Sequence, residues 1–180
     1  MKSDIIRIDN QGNGFQDAIA ETRRVAVYQE LNAQASIRLQ LITEEMLSLA
    51  RSVTGEMQAS FWIEGEKQRF ELHMTTQTVM DKEKRYQLLS AATSRRNEAA
   101  RTFLGFLRDA FEEAMASEVM HAGDDLPADI LADLTYRTFE DPEWDGYERS
   151  VLRKLTDDVK IAIRGNIVDM VVTKDFGKMG

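Results

Sequence analysis

The sequence predicts an α+β fold: a two-layer sandwich with helices packed on one face of a mixed or antiparallel sheet. Three observations lead there. Apolar residues recur at steps of three and four in the first third of the chain, and at steps of two around residues 59–74 and again near the carboxyl end. The strand-like stretches alternate apolar with polar side chains, as in a sheet wet on one face. At 180 residues, 43% hydrophobic and 30% charged, the chain suits one core and a single domain over residues 1–180.

Ile5 to Ile8 reads as a first strand, ended by Asp9-Asn10-Gln11-Gly12-Asn13-Gly14, whose Asn and Gly residues accept the positive φ of a tight turn. Phe15, Ala18, Ile19, Thr22, Ala26 and Leu31 line one face of a helix running to about residue 32. Leu39, Ile42, Met46, Leu49 and Val53 alternate steps of three and four, with Leu41, Leu47 and Ala50 widening the stripe, so a buried helix follows and closes at Thr54-Gly55.

Ala59, Phe61 and Ile63, then Phe70, Leu72 and Met74, repeat at period two on either side of Gly65-Glu66-Lys67-Gln68, which marks a hairpin with those four residues as its turn. A short helix spans Asp81 to about Ala91. Thr93-Ser94 offer caps for a longer one to about Ala116, with Phe103, Leu107, Phe111 and Met115 on its core face. From Ser117 to Asp145 the composition turns acidic, with Arg137 as the one basic residue, and this excursion is expected to be mobile, with one helix between Asp129 and Phe139. Helical pattern returns with Tyr147, Val151, Leu152 and Leu155. Val159, Ile161 and Ile163, a Gly165-Asn166 turn and Ile167 to Val172 then predict a second hairpin.

Composition narrows the function classes. The chain has no cysteine, which excludes disulfides, thiolate nucleophiles and thiolate zinc sites and favours a cytoplasmic address. The opening residues reach Asp9-Asn10-Gln11 before any apolar run could form a signal-peptide core, and no stretch approaches the roughly 18 apolar residues of a membrane span. A formal charge of −8 repels nucleic acid. Arg95-Arg96 with Arg101 could bind an anion but reads as a solvated helix start.

Few residues point to chemistry. His73 lies on a predicted strand with no serine or cysteine motif to serve, so it reads as a structural or exposed histidine rather than a general base. His121 precedes Asp124, Asp125, Asp129 and Asp133, a zinc or calcium arrangement that Gly123 and Pro127 would misalign, and the stretch reads as a solvated acidic loop. No metal site is expected. Glu44 and Glu45 interrupt the central helix and are the candidate catalytic carboxylates, weighed against a solvated helix edge.

The element order, the stretch Leu39-Gln40-Leu41-Ile42-Thr43-Glu44-Glu45, and the ending from Asp157 through Val172 resemble the histidine-kinase-like ATPase superfamily, or Bergerat fold. The similarity is greatest to its anti-sigma-factor serine kinase branch and loosely covers Asp4 to Phe176. The resemblance implies a helix glutamate that orients the attacking group and, four residues on, an asparagine that holds Mg²⁺ on the ATP phosphates. Here Glu44 meets Ser48 and Glu45 meets Leu49, which leaves Ser48 as the candidate magnesium ligand. The Asp-x-Gly-x-Gly turn implied after the hairpin is replaced by Met74-Thr75-Thr76-Gln77-Thr78-Val79, so Asp81 is the candidate for the adenine contact. No glycine lies between Gly65 and Gly105, so the glycine-rich phosphate lid is missing at its place.

With these boxes degraded, the resemblance implies a bacterial regulatory module without catalysis or cofactor, binding a protein partner of the sigma-factor or anti-anti-sigma kind. A homodimer is compatible with it; nucleic acid and membrane are not expected partners. The alternatives are a serine/threonine protein kinase using ATP and Mg²⁺ with divergent motifs, and a small-ligand sensor using the vestigial nucleotide pocket.

Overall fold

In the computed structural model, which describes residues 1–9, 11–54, 58–100 and 151–178, the first strand and the two hairpins join in one antiparallel sheet. Strands β1 (Ile6–Asp9), β2 (Gln58–Glu66), β3 (Arg69–Gln77), β4 (Asp158–Arg164) and β5 (Ile167–Asp175) lie in the order β1-β2-β3-β5-β4. The described helices are α1 (Phe15–Tyr28), α2 (Ala33–Thr54), α3 (Lys82–Ala91) and α4 (Val151–Leu155). The α+β class follows directly.

Alternation sorts the strands into two faces. Phe61, Ile63, Phe70, Leu72, Met74, Val159, Ile161, Ile163, Val168, Met170 and Val172 are buried with the inner stripes of α1 and α2 in one cluster. Their neighbours Ser60, Trp62, Glu71, His73, Thr75, Asp169 and Val171 are half-buried on the opposite face. Fully buried side chains such as Phe61, Phe70 and Met46 each contribute about 1.5–3 kcal/mol through burial. Between α1 and α2 two buried hydroxyls satisfy one another. The Thr22 and Thr43 hydroxyls lie 2.9 Å apart, each also within reach of the carbonyl four residues earlier in its helix, Ala18 or Leu39, so one hydroxyl donates to its helix carbonyl and the other donates across to it.

Three boundaries differ from the sequence reading. The first helix ends at Tyr28 rather than near residue 32, because Glu30 takes a positive φ of 55° and Asn32 Oδ1 accepts from the Ala35 amide to start α2. The first hairpin turns on Lys67-Gln68 alone, and Gly65 and Glu66 stay in the strand, paired with Phe70 and Arg69. Gly65 serves packing instead: a Cβ there would sit 3.3 Å from Val25 Cγ1 of α1 and 2.9 Å from the Phe70 ring. Thr93 does not cap a helix. Its amide donates to the Val159 carbonyl (2.8 Å) and its Oγ1 accepts from the Val159 amide (2.7 Å), so the chain after α3 runs beside β4.

Asn97 continues that cover over the outer edge of β4, with Nδ2 donating to the Ile163 carbonyl (2.9 Å) and Oδ1 accepting from the Ile163 amide (2.8 Å). The opposite edge is covered too. Gly14, at φ 84°, brings the chain back against β1 so closely that a Cβ would collide with the Arg7 carbonyl. Covered edges discourage sheet-to-sheet association. The expected helix over 101–116, the acidic excursion 117–145 with its inner helix, and the Tyr147 turn lie outside the described residues. No described helix is long and apolar enough to cross a membrane.

Candidate functional site

Helix α2 carries both candidate glutamates, and its buried stripe of Leu39, Ile42, Thr43, Met46, Leu47, Ala50 and Val53 fixes where they point. Glu44 and Ser48, four residues apart, share the exposed face away from the core. Glu45 and Leu49 share a half-buried flank. The register pairing a glutamate with a hydroxyl is therefore the one turned to solvent, and the register nearer the core pairs a glutamate with an apolar side chain.

Asp81 is the N-cap of α3: its Oδ1 accepts from the Lys84 amide at 2.8 Å, and Lys84 Nζ lies 3.9 Å from Oδ2. The loop before it is tied at two points. The Thr78 amide donates to the Asn166 carbonyl (2.9 Å), and Lys84 Nζ donates to the Val79 carbonyl (3.2 Å). Arg95 and Arg96 are exposed, with Arg95 at φ 53°, while Arg101, His121 and the aspartates behind it lie outside the described residues. Among the described residues no group of three or more His, Asp or Glu side chains could hold a metal ion.

A cluster that sequence reasoning did not single out lies on the sheet face opposite the described helices. The Trp62 and His73 rings, opposite one another on β2 and β3, stack at 4.9 Å with 1° between their planes. Trp62 Nε1 donates to Glu64 Oε1 (3.1 Å), which also binds Lys2 Nζ (2.9 Å), and Lys2 Nζ stands 5.1 Å from the Trp62 ring centre. The Lys2 and Trp62 hydrogen bonds, in that order, hold the Glu64 carboxyl below its ordinary pKa. His73 Nε2 is buried without a hydrogen-bond partner, 3.9 Å from Glu71 Oε2. Burial pushes the His73 pKa down, Glu64 and Glu71 pull it partly back, and Lys2 lowers it further. The signal was present in Phe61-Trp62-Ile63-Glu64, whose alternation puts Trp62 and Glu64 together on the polar face.

The rest of that face is laced with ion pairs: Arg69–Glu71 (2.9 Å), Lys160–Asp158 (3.6 Å) and Arg164–Asp169 (2.9 Å). Thr75 Oγ1 also donates to Asp169 Oδ1 at 2.8 Å. Half-exposed pairs of this kind suit a solvated surface and contribute little individually.

No protein-family model matches the chain, and no curated protein matches it significantly. The chain is a two-layer α+β protein with its described helices over one face of a five-stranded antiparallel sheet. The residues that the Bergerat resemblance would assign to Mg·ATP have other places in this fold. Leu49 offers no oxygen, Ser48 faces away from the core, and the Asp81 carboxylate caps α3.

Proposed function

We propose that this chain is a regulatory module that binds a protein partner, similar in descent to the anti-sigma-factor kinases but without phosphoryl transfer. The observation that supports the absence of phosphoryl transfer is the state of the loop after β3. It contains no glycine, the Thr78 amide is bonded to Asn166, and Asp81 is committed to a helix cap. Phosphoryl transfer depends on positioning phosphates and metal, and a carboxylate such as Glu44 or Glu45 has nothing to act on without an aligned γ-phosphate. A partner of the sigma-factor or anti-anti-sigma kind, and a cytoplasmic place of action, belong to the same proposal.

Calorimetric titration of the full chain with ATP, with and without Mg²⁺, tests it. The expected result is no binding in the micromolar range and no turnover. Micromolar Mg·ATP affinity, with turnover abolished by Glu44→Ala or Glu45→Ala, would overturn the proposal in favour of the kinase alternative.

A further inference from the structure

Strand β1 covers the edge of β2 only from Gln58 to Phe61, while β2 continues to Glu66. The uncovered part is filled by residues 1–3. The Ser3 amide donates to the Ile63 carbonyl (2.9 Å), the Gly65 amide donates to the Met1 carbonyl (2.7 Å), and Lys2 bridges opposite Glu64. This piece is separate from β1, with Asp4 and Ile5 between them outside the ladder and Ile5 62% exposed. One of its rungs is makeshift: the Ile63 amide donates to the Ser3 hydroxyl (2.9 Å), where a regular strand would present a carbonyl. Its side-chain anchor is weak as well, because the Lys2 and Glu64 side chains are 55% and 43% exposed.

We propose that the outer edge of β2 from Trp62 to Gly65 is a peptide-docking edge that the chain's own residues 1–3 occupy in this state. Its occupant in trans is an extended segment of a protein partner with Lys or Arg in the place of Lys2. The chemistry is already displayed in cis. A cation sits against the Trp62 ring and the Glu64 carboxylate, Trp62 is backed by the His73 ring stacked parallel to it, and backbone groups of Ile63 and Gly65 pair alongside. A basic segment also matches a chain of net charge −8 better than a second copy would. The proposal rests on the partner-binding reading, and residues 1–3 act in it as an autoinhibitory strap.

The probe is an acetylated peptide with the sequence of residues 1–6, labelled at its carboxyl end and titrated into the full chain by fluorescence anisotropy. Lys2→Ser should loosen the strap and tighten peptide binding about 10-fold, since a competitor in cis lowers apparent affinity by the fraction of open edge. Adding Glu64→Gln to Lys2→Ser should abolish binding, as should replacing the peptide's lysine by glutamate, while thermal melts confirm that both variants fold. Binding no tighter in Lys2→Ser than in wild type, or binding that survives Glu64→Gln, overturns the proposal. Amide exchange in the wild-type chain gives an independent reading: Ile63 and Gly65 should exchange faster than the amides of β5, and equal protection also overturns it. A partner captured equally by wild-type and Glu64→Gln chains would refute this edge and leave the regulatory reading standing. Capture of no partner counts against that reading, and the peptide titration still decides the edge.

Discussion

Replacing Asn97 by Ala should remove the cover from the outer edge of β4 at Ile163, leaving the Thr93 contacts at Val159 in place. The Asn97 side chain is 6% exposed and its carboxamide stands in for a neighbouring strand, donating to the Ile163 carbonyl and accepting from the Ile163 amide. Oδ1 accepts from the Ala99 amide as well, at 3.1 Å. Ile163 is 1% exposed, so its two backbone groups would lose their partners at a site with little access to water. Each such group costs about 1–3 kcal/mol, and with partial hydration at a sheet edge the total should be about 2–4 kcal/mol. For a chain of this size that corresponds to a Tm lower by about 5–15 °C. Urea and thermal unfolding followed by circular dichroism measure it, with the exposed Ser94→Ala as a control expected to stay within about 0.5 kcal/mol. The bared edge should also promote concentration-dependent association on size-exclusion chromatography. A loss below about 1 kcal/mol, with no association, would show that water replaces the carboxamide and that Asn97 does not seal the sheet.

Met46→Asp should unfold the chain or cost on the order of several kcal/mol, since Met46 is 0% exposed in the middle of the α2 stripe and the new carboxylate would be unpaired. A melt within about 1–2 °C of wild type would refute that assignment. His73 should make stability depend on pH in a definite direction. Burial holds its folded pKa below the ordinary 6.5, so on acidification the unfolded chain takes up the proton first. Its contribution is complete well above about pH 6.5 and declines as the pH falls through that value to the lower folded one. The difference in unfolding free energy between wild type and His73→Gln should therefore shrink between about pH 7.5 and about pH 5.5, and parallel curves would contradict it.

Periodicity, a property of local geometry, made much of the architecture legible. Steps of three and four on α2 and steps of two on the hairpin strands follow from 3.6 residues per helical turn and two per strand repeat, whatever the rest of the chain does. The α+β class, the buried face of α2 and the Gly165-Asn166 turn were readable for that reason, and so was the helix start at Asp81. Composition likewise excluded thiolate chemistry without reference to any contact.

Other features required partners far away in the chain. Gly65 looked like a turn residue because glycine commonly turns; only the approach of Val25 from α1 makes it a packing residue inside β2. Thr93 resembled helix-cap chemistry until β4, 66 residues later, was placed beside it, and Asn97 drew no notice before its carboxamide met Ile163. The Lys2–Trp62–Glu64–His73 cluster exists only once the β2–β3 register sets Trp62 opposite His73 and residues 1–3 lie along β2. Sheet order and register are collective outcomes of burial and edge pairing, and a one-residue slip would send each of these side chains to the other face. Residue types and their spacing therefore determined which faces of the elements are apolar, and the tertiary structure alone decided which polar groups meet.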